Sequence, residues 1–211
     1  MSAQYNLGIC YERGSGVTID LREAVKWYTR AAEGGNSGAQ FNLGNCYRLG
    51  EGVTVDLREA VKWYTRAAEG GNLSLATCYD RGDGVAVNKR EAFKWYKRAA
   101  EAGEVGSQYN LGCCYRDGDG VACDMRTAFM WFKRAADAGD IAAQGVIAVC
   151  YLHGSGVDMD KHEAIKFFTR AAEAGDTNAQ IFLGSIYKTG DGVAIDIKES
   201  NKWYAMAGMP R

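Results

Sequence analysis

The sequence contains one proline in 211 residues, against 27 glycines. Proline interrupts helices whereas glycine often ends them, so this imbalance predicts a chain that is helical throughout. No window holds the 18 or more apolar residues that a membrane span needs. The 25 basic and 26 acidic side chains are balanced, which argues against binding a phosphate backbone or an anionic bilayer. We therefore expect no nucleic-acid partner and no membrane span.

A short motif that ends in tyrosine recurs six times. Its tyrosines are Tyr11, Tyr47, Tyr79, Tyr115, Tyr151 and Tyr187, with spacings of 36, 32, 36, 36 and 36 residues. Periods of this length are typical of solenoids, in which neighbouring units share a core. The sequence predicts a single domain over residues 1–211, with repeats at 3–38, 39–70, 71–106, 107–142, 143–178 and 179–211.

Each repeat carries two apolar stripes at helical spacing. In the first repeat the earlier stripe contains Leu7, Cys10 and Tyr11, and the later one contains Trp27 and Tyr28. One helical pair cannot bury its aromatic residues alone, so the pairs must stack. We expect an all-α solenoid of twelve helices, wound as a right-handed superhelix.

The ends of the second helices carry recognisable signals. Asp20 followed by Glu23 predicts a cap in which the aspartate accepts from first-turn N–H groups while the glutamate reaches back. Glycines after the second helices are expected to adopt the left-handed conformation and turn the chain. These are Gly34, Gly70, Gly103, Gly139 and Gly175.

The third repeat is four residues shorter than the others. The residues are missing between Gly71 and Leu75, and four residues make about one helical turn. We therefore predict a shortened helix near Leu73 to Asp80. Elsewhere, glycines such as Gly8 and Gly44 on the first helices should let neighbouring helices approach closely.

The repeated pattern resembles the Sel-one-like repeat, a relative of the tetratricopeptide repeat. It reads Ala-x-x-x-Leu-Gly-x-x-Tyr-x-x-Gly-x-Gly-Val, then Asp, then Ala-x-x-Trp/Tyr-Tyr-x-x-Ala-Ala, and extends from Ala3 to about Ala207. The fifth repeat departs from it at Phe167 and Phe168, and the sixth at Ser200. The resemblance implies a non-catalytic adaptor that binds a protein or peptide on a concave face formed by the first helices.

The residues beside the inward stripe of the first helices are the predicted binding wall. In the first repeat they are Asn6, Ile9 and Arg13, and the equivalent positions hold Asn42, Asn45, Leu49, Arg81, Asn110, Cys113 and Asp117. An amide offers two donors and an acceptor, which suits a peptide backbone. The resemblance implies that asparagines here hold a ligand carboxylate or peptide bond, whereas the alternative is that they bridge adjacent helices. Arg48 and Arg116, one position earlier, would favour an acidic ligand or else be merely solvated.

Seven cysteines invite a disulfide or metal interpretation, and their spacing argues against both. Five of them directly precede a repeat tyrosine, so they should lie roughly 8–10 Å apart, whereas a disulfide needs Cα atoms within about 7 Å. We expect buried, reduced thiols and, with no visible signal peptide, a cytoplasmic protein. His153, His162 and Cys150 give too few convergent ligands for zinc, and we expect no metal and no cofactor.

Two other functional classes remain as alternatives. One is a regulatory or neutralising subunit of an enzyme, which the same fold can serve. The other, more remote, is a β-lactam-binding hydrolase, because Ser185 and Lys188 form Ser-x-x-Lys and Lys188 to Gly190 read Lys-Thr-Gly. The two motifs share Lys188 and no Ser-Asp-Asn is present, so we expect no enzymatic activity.

The array begins and ends abruptly, without polar capping segments. Terminal repeats usually need a polar outer face. We therefore expect either a longer parent protein or end-to-end self-association.

Overall fold

The computed structural model describes residues 2–68, 74–83 and 85–209. In these ranges the chain forms twelve α-helices and no β-strand, which confirms the predicted all-α fold of helical pairs. The helices are α1 (Ser2–Arg13), α2 (Leu21–Glu33), α3 (Ser37–Leu49), α4 (Leu57–Ala68), α5 (Ser74–Arg81), α6 (Lys89–Glu101), α7 (Val105–Asp117), α8 (Met125–Asp137), α9 (Ile141–His153), α10 (Lys161–Glu173), α11 (Thr177–Thr189) and α12 (Ile197–Met206).

The packing divides the chain into two compact units, Met1–Glu104 and Val105–Arg211. The first unit contains α1 to α6 and the second α7 to α12, and within each unit helices pack against their neighbours in the chain. Tyr28 and Leu43 are fully buried in the first unit, as are Ile147 and Leu183 in the second. The single domain expected from the sequence stays a prediction.

The small residues of the first helices lie directly against aromatic rings, as the sequence predicts. A β-carbon added at Gly8 would lie 2.6 Å from the ring of Tyr28, and one added at Gly112 would lie 2.7 Å from Phe132. Carbon atoms normally approach only to about 3.5 Å. Glycine at this position therefore lets the first helix pack tightly against the second helix in four repeats, at Gly8, Gly44, Gly112 and Gly184.

The N-terminal caps of the second helices form, but with a different glutamate contact from the one expected. Asp20 Oδ1 accepts from Glu23 N at 3.0 Å, while the backbone N–H of Asp20 donates to the carbonyl of Tyr11 at 3.0 Å. Because that N–H is already used, Glu23 has no cap donor to reach and pairs with Lys26 instead, at 2.5 Å.

The prediction of left-handed glycines is partly correct. Gly103, Gly139 and Gly175 have φ between 95° and 99°, but Gly34 has φ −75° and the following Gly35 takes φ 88°. In the first repeat two glycines follow the helix, and the left-handed position is the second of them. The remaining member of the prediction, Gly70, lies outside the described residues.

The third repeat has the shortened first helix that its length predicts. Helix α5 has 8 residues, whereas α3 and α7 have 13 each. Of the predicted span, Leu73 lies outside the described residues.

The cysteines are free thiols, and four of the five in the shared register are buried. Cys10 is half-buried because α1 packs against α2, whereas α3 packs against both α2 and α4.

Candidate functional site

The first unit contains a cavity with mostly polar walls, which we call the polar cleft. Its volume is about 270 Å³, and its walls come from α3, α4, α5 and the turn after α5. It brings together three of the residues predicted from the sequence, Asn45, Arg48 and Arg81. The other lining residues are Phe41, Tyr64, Thr77, Cys78 and Asp83.

Tyr64 organises the polar cleft from its base. Its side chain is 2% exposed, and its hydroxyl donates to Asn45 Oδ1 at 2.7 Å. Arg48 Nε donates to the same hydroxyl at 3.3 Å. Burial raises the pKa of Tyr64, whereas Arg48 acts in the opposite direction, so the phenol stays protonated and holds both side chains in place at neutral pH.

Cys78 lines the same cleft with an uncharged thiol. Burial is the main reason that its pKa is raised to about 11, and the nearby Asp83 adds to the effect. A thiol with this pKa is a poor nucleophile near neutrality, since the thiolate is the reactive form. Cys78 therefore contributes packing rather than chemistry.

Asn42 makes a contact that matches the bridging alternative. Its side chain lies near the hydroxyl of Tyr28, which belongs to the preceding repeat, and acts to lower the pKa of that hydroxyl. The same hydroxyl donates to Glu12 Oε2 at 2.8 Å, and burial together with Glu12 raises the pKa of Tyr28. Asn42 thus links α2 to α3, while ligand contact by this residue stays a prediction.

The second unit contains a larger cavity with mostly apolar walls, which we call the apolar groove. Its volume is about 490 Å³, and the first helices α7, α9 and α11 all contribute to it. Arg116 is the one residue of the predicted wall among its lining residues. The groove is lined by Arg116, Met125, Ala142, Gly145, Val146, Val149, Cys150, Ser155, Phe168, Asp176, Asn178, Ala179 and Phe182.

Arg116 lines the apolar groove with its guanidinium paired to the neighbouring Asp117. Its Nε and Nη2 donate to the two carboxylate oxygens of Asp117, each at 2.8 Å, and this contact raises the pKa of the guanidinium. The guanidinium carbon also lies 5.8 Å from the ring centroid of Phe132. Both members of the pair are well exposed, so the pair itself adds little stability.

Sequence reasoning missed the apolar residues of the groove. Val146 and Phe182 occupy the register of Asn6 in the fifth and sixth repeats, and Val149 occupies the register of Ile9. The predicted wall ends at the fourth repeat, and the same register continued into the last two repeats includes these residues. Phe182 stacks on Phe168 with ring centroids 4.8 Å apart and planes inclined by 11°.

The other residues of the predicted wall lie on first helices but line neither cavity. Asn6, Arg13 and Leu49 are exposed, and Asn110 is half-buried. Asp117 lies beside the apolar groove through its contact with Arg116. Part of the predicted wall therefore lies at the polar cleft and part at the apolar groove.

Within the described ranges, no three His, Cys, Asp or Glu side chains are grouped to hold a metal ion, and no helix has the length and apolar character of a membrane span. Ser185 and Lys188 are both exposed on α11, and the Ser185 carbonyl accepts from the hydroxyl of Thr189 at 3.0 Å.

The repeat units correspond to those of a known family. The model of the Sel1 repeat matches six segments, residues 2–36, 37–72, 73–104, 105–140, 141–176 and 177–209. The chain belongs to the Sel1 repeat family. Sel1 repeat proteins are in general protein-interaction scaffolds, typically without enzymatic activity. No curated protein matches the chain.

Solved structures of other Sel1 repeat proteins resemble this chain closely. A protective antigen of uropathogenic Escherichia coli with this fold is 38% identical, with a TM-score of 0.93; the match covers 98% of this chain and 45% of that one. A Sel1 repeat protein from Oxalobacter formigenes is 35% identical, with a TM-score of 0.82, over 100% of this chain and 86% of that one. This chain thus spans less than half the length of the first relative.

More distant structures share the fold alone. An immunity protein of Pseudomonas aeruginosa is 20% identical, with a TM-score of 0.56, and the match covers 98% of this chain and 80% of that protein.

Proposed function

We propose that this protein is an interaction scaffold that binds a peptide or partner segment on the side of each unit formed by the first helices. One observation carries the proposal: both cavities are lined by first helices of successive repeats, α3 with α5 in the first unit and α7 with α9 and α11 in the second. Surfaces built in this way from neighbouring repeats are the usual binding surfaces of solenoids.

The chemistry of the polar cleft suits an acidic or backbone-rich segment. Arg48 and Arg81 supply guanidinium groups beside Asn45, and among the residues that the structure describes Asp83 is the one acidic residue in the lining. Charge-assisted hydrogen bonds to arginine are stronger than neutral ones. We therefore expect the ligand of this cleft to carry carboxylates.

The test is affinity capture of partners from the source cell with two matched double variants. Arg48→Gln with Arg81→Gln removes both charges from the polar cleft, whereas Arg58→Gln with Arg90→Gln removes two exposed charges from the second helices α4 and α6. For each captured partner, the affinity should fall about tenfold or more with the first pair and stay within twofold with the second. Equal binding to both variants would contradict the proposal for this cleft.

The same experiment separates a general adaptor from a neutralising subunit. If a captured partner is an enzyme, its activity is measured with and without this protein. The immunity proteins of similar fold motivate this arm, although at about 20% identity they support the fold alone. A lack of inhibition favours the adaptor.

We also propose a reducing compartment and no chemistry of the protein's own. The support is that all seven cysteines are free thiols, and that burial raises the pKa of Cys46 and Cys78. Nitrocefin turnover that disappears in Ser185→Ala would contradict the absence of catalysis.

A further inference from the structure

The fifth repeat lacks a ring that other repeats have. In three repeats the first helix carries an aromatic residue three positions before the glycine that packs against the second helix (Gly8, Gly44 and Gly112). This aromatic residue contacts an aromatic residue of the second helix. These ring pairs are Tyr5 with Tyr28 at 6.1 Å, Phe41 with Tyr64 at 6.1 Å, and Tyr109 with Phe132 at 5.5 Å between centroids. In the fifth repeat the position is Gly145, and the aromatic residue of the second helix is Phe168.

The missing side chain leaves open space rather than a collapsed core. Among the described residues, no atom outside the immediate helical surroundings of Gly145 lies within 4 Å of a β-carbon added there. Gly145 and Phe168 both line the apolar groove. The groove therefore includes the region into which a ring at position 145 would project.

The groove also leaves large apolar side chains accessible. Phe182 is 42% exposed and Val149 is 41% exposed, although Phe182 stacks on the buried Phe168. Concave sites with apolar walls and a few polar groups are typical ligand sites. An inserted ring would contact Phe182 in addition to the walls beside Gly145, and aromatic pairs favour such contacts.

The guanidinium of Arg116 indicates which ligand group should lie next to the ring. Arg116 carries five N–H donors, and its two contacts with Asp117 use two of them. Asp176, a further charged residue that lines the groove, uses Oδ1 to cap α11 by accepting from Ala179 N at 2.7 Å. Arg116 thus keeps three N–H donors beyond its pair with Asp117, and a ligand carboxylate can accept from them.

We propose that the apolar groove binds an aromatic side chain of a partner protein segment, with an acidic residue next to it that pairs with Arg116. The inserted ring takes the place that Tyr5, Phe41 and Tyr109 fill from within their own repeats. This inference rests on the proposed scaffold function and names the partner chemistry for the second unit.

The test uses two substitutions of the same glycine. Gly145→Tyr restores the ring found in the first and fourth repeats and fills the groove, whereas Gly145→Ala adds a methyl group and leaves the groove open. Both replace a helical glycine by a better helix former, so both variants should melt at or above the temperature of the unmodified protein. The alanine variant therefore controls for changes in helix stability.

The probes are three blocked tripeptides, acetyl-Glu-Phe-Glu-amide, acetyl-Gln-Phe-Gln-amide and acetyl-Glu-Ala-Glu-amide. Binding is followed by the amide resonances of Val146, Val149 and Phe182 in ¹⁵N-labelled protein. Fragments of this size bind weakly, so we expect a millimolar Kd for the first probe. The Kd should be at least threefold higher for the glutamine probe, and the alanine probe should cause no saturable shift.

The variants then decide the assignment. Gly145→Tyr should weaken acetyl-Glu-Phe-Glu-amide at least tenfold, Gly145→Ala should keep the Kd within twofold, and Arg116→Gln should remove the preference for glutamate over glutamine. Equal binding by the unmodified protein and Gly145→Tyr, or equal binding of the phenylalanine and alanine probes, would overturn the inference. Partner capture that still depends on Arg48 and Arg81 would show that the scaffold function survives such a failure.

Discussion

The two units have the same repeat but differ in the polarity of the first-helix residues that face the second-helix rings. The second helices of the first unit place tyrosine where two of those in the second unit place phenylalanine, and the facing residues change from amides to apolar side chains. The polar set is Tyr28 with Asn42 and Tyr64 with Asn45, and the apolar set is Phe168 with Phe182, while Phe132 lies in the core cluster on which Val146 packs. In these pairs a tyrosine hydroxyl accompanies a facing amide, and a phenylalanine accompanies a facing apolar side chain.

The coupling follows from the energetics of buried polar groups. A hydroxyl in an apolar environment costs free energy unless it is hydrogen-bonded, so Tyr64 needs a partner such as Asn45. A phenylalanine makes no such demand, and an apolar neighbour can stack on it, as Phe182 does on Phe168. Repeats can thus differ in wall chemistry without a change in backbone.

The largest expected effect comes from exchanging the two ring types. Phe168→Tyr places a hydroxyl beside Phe182, and leaving it unpaired should cost about 1–3 kcal/mol in the free energy of unfolding. Tyr64→Phe removes the donor to Asn45 Oδ1 and should cost about 1 kcal/mol. Urea unfolding of each variant measures both changes.

A second substitution sharpens this prediction. Adding Phe182→Asn to Phe168→Tyr supplies the new hydroxyl with an amide at the register of Asn42, so the double variant should be more stable than the sum of the two single changes implies. Additive effects would break the comparison, because the hydroxyl and the amide would then be independent.

The sequence predicts the architecture well because the same helix signals recur in every repeat. Helical spacing, cap residues and the four-residue deletion before Leu75 identify the helices and the shortened α5. The site is harder to predict, since contacts between repeats decide it. Asn42 lies near the hydroxyl of Tyr28, and Gly145 becomes important because no described residue fills the space beside it.

The next effect concerns the buried thiols at alkaline pH. Burial raises the pKa of both Cys46 and Cys150 in the folded state; Glu12 and Glu51 raise that of Cys46 further, to about 12, whereas Arg116 acts to lower that of Cys150. Unfolded thiols ionise near pH 9, so the folded state holds its protons more tightly above that pH. The stability contribution is complete below about pH 9 and is lost as the pH rises towards the folded pKa.

Cysteine variants measure this loss in each unit. Between pH 8 and pH 10.5 the penalty of Cys46→Ala should shrink by up to about 2 kcal/mol, because the unmodified protein alone loses the thiol contribution. The penalty of Cys150→Ala should shrink less. Urea unfolding at the two pH values gives both numbers, and equal changes would show that the nearby charges do not distinguish the units.

The smallest expected effect lies on the surface. Lys161 pairs with Asp191 at 2.5 Å in the second unit, and both side chains are 44–50% exposed. The first repeat has Leu21 at the position of Lys161, so the fold already accepts an apolar residue there. Lys161→Leu should change the free energy of unfolding by less than about 0.5 kcal/mol, since exposed ion pairs contribute little. A larger loss that disappears in 1 M salt would show that the second unit depends on this pair in a way the first does not.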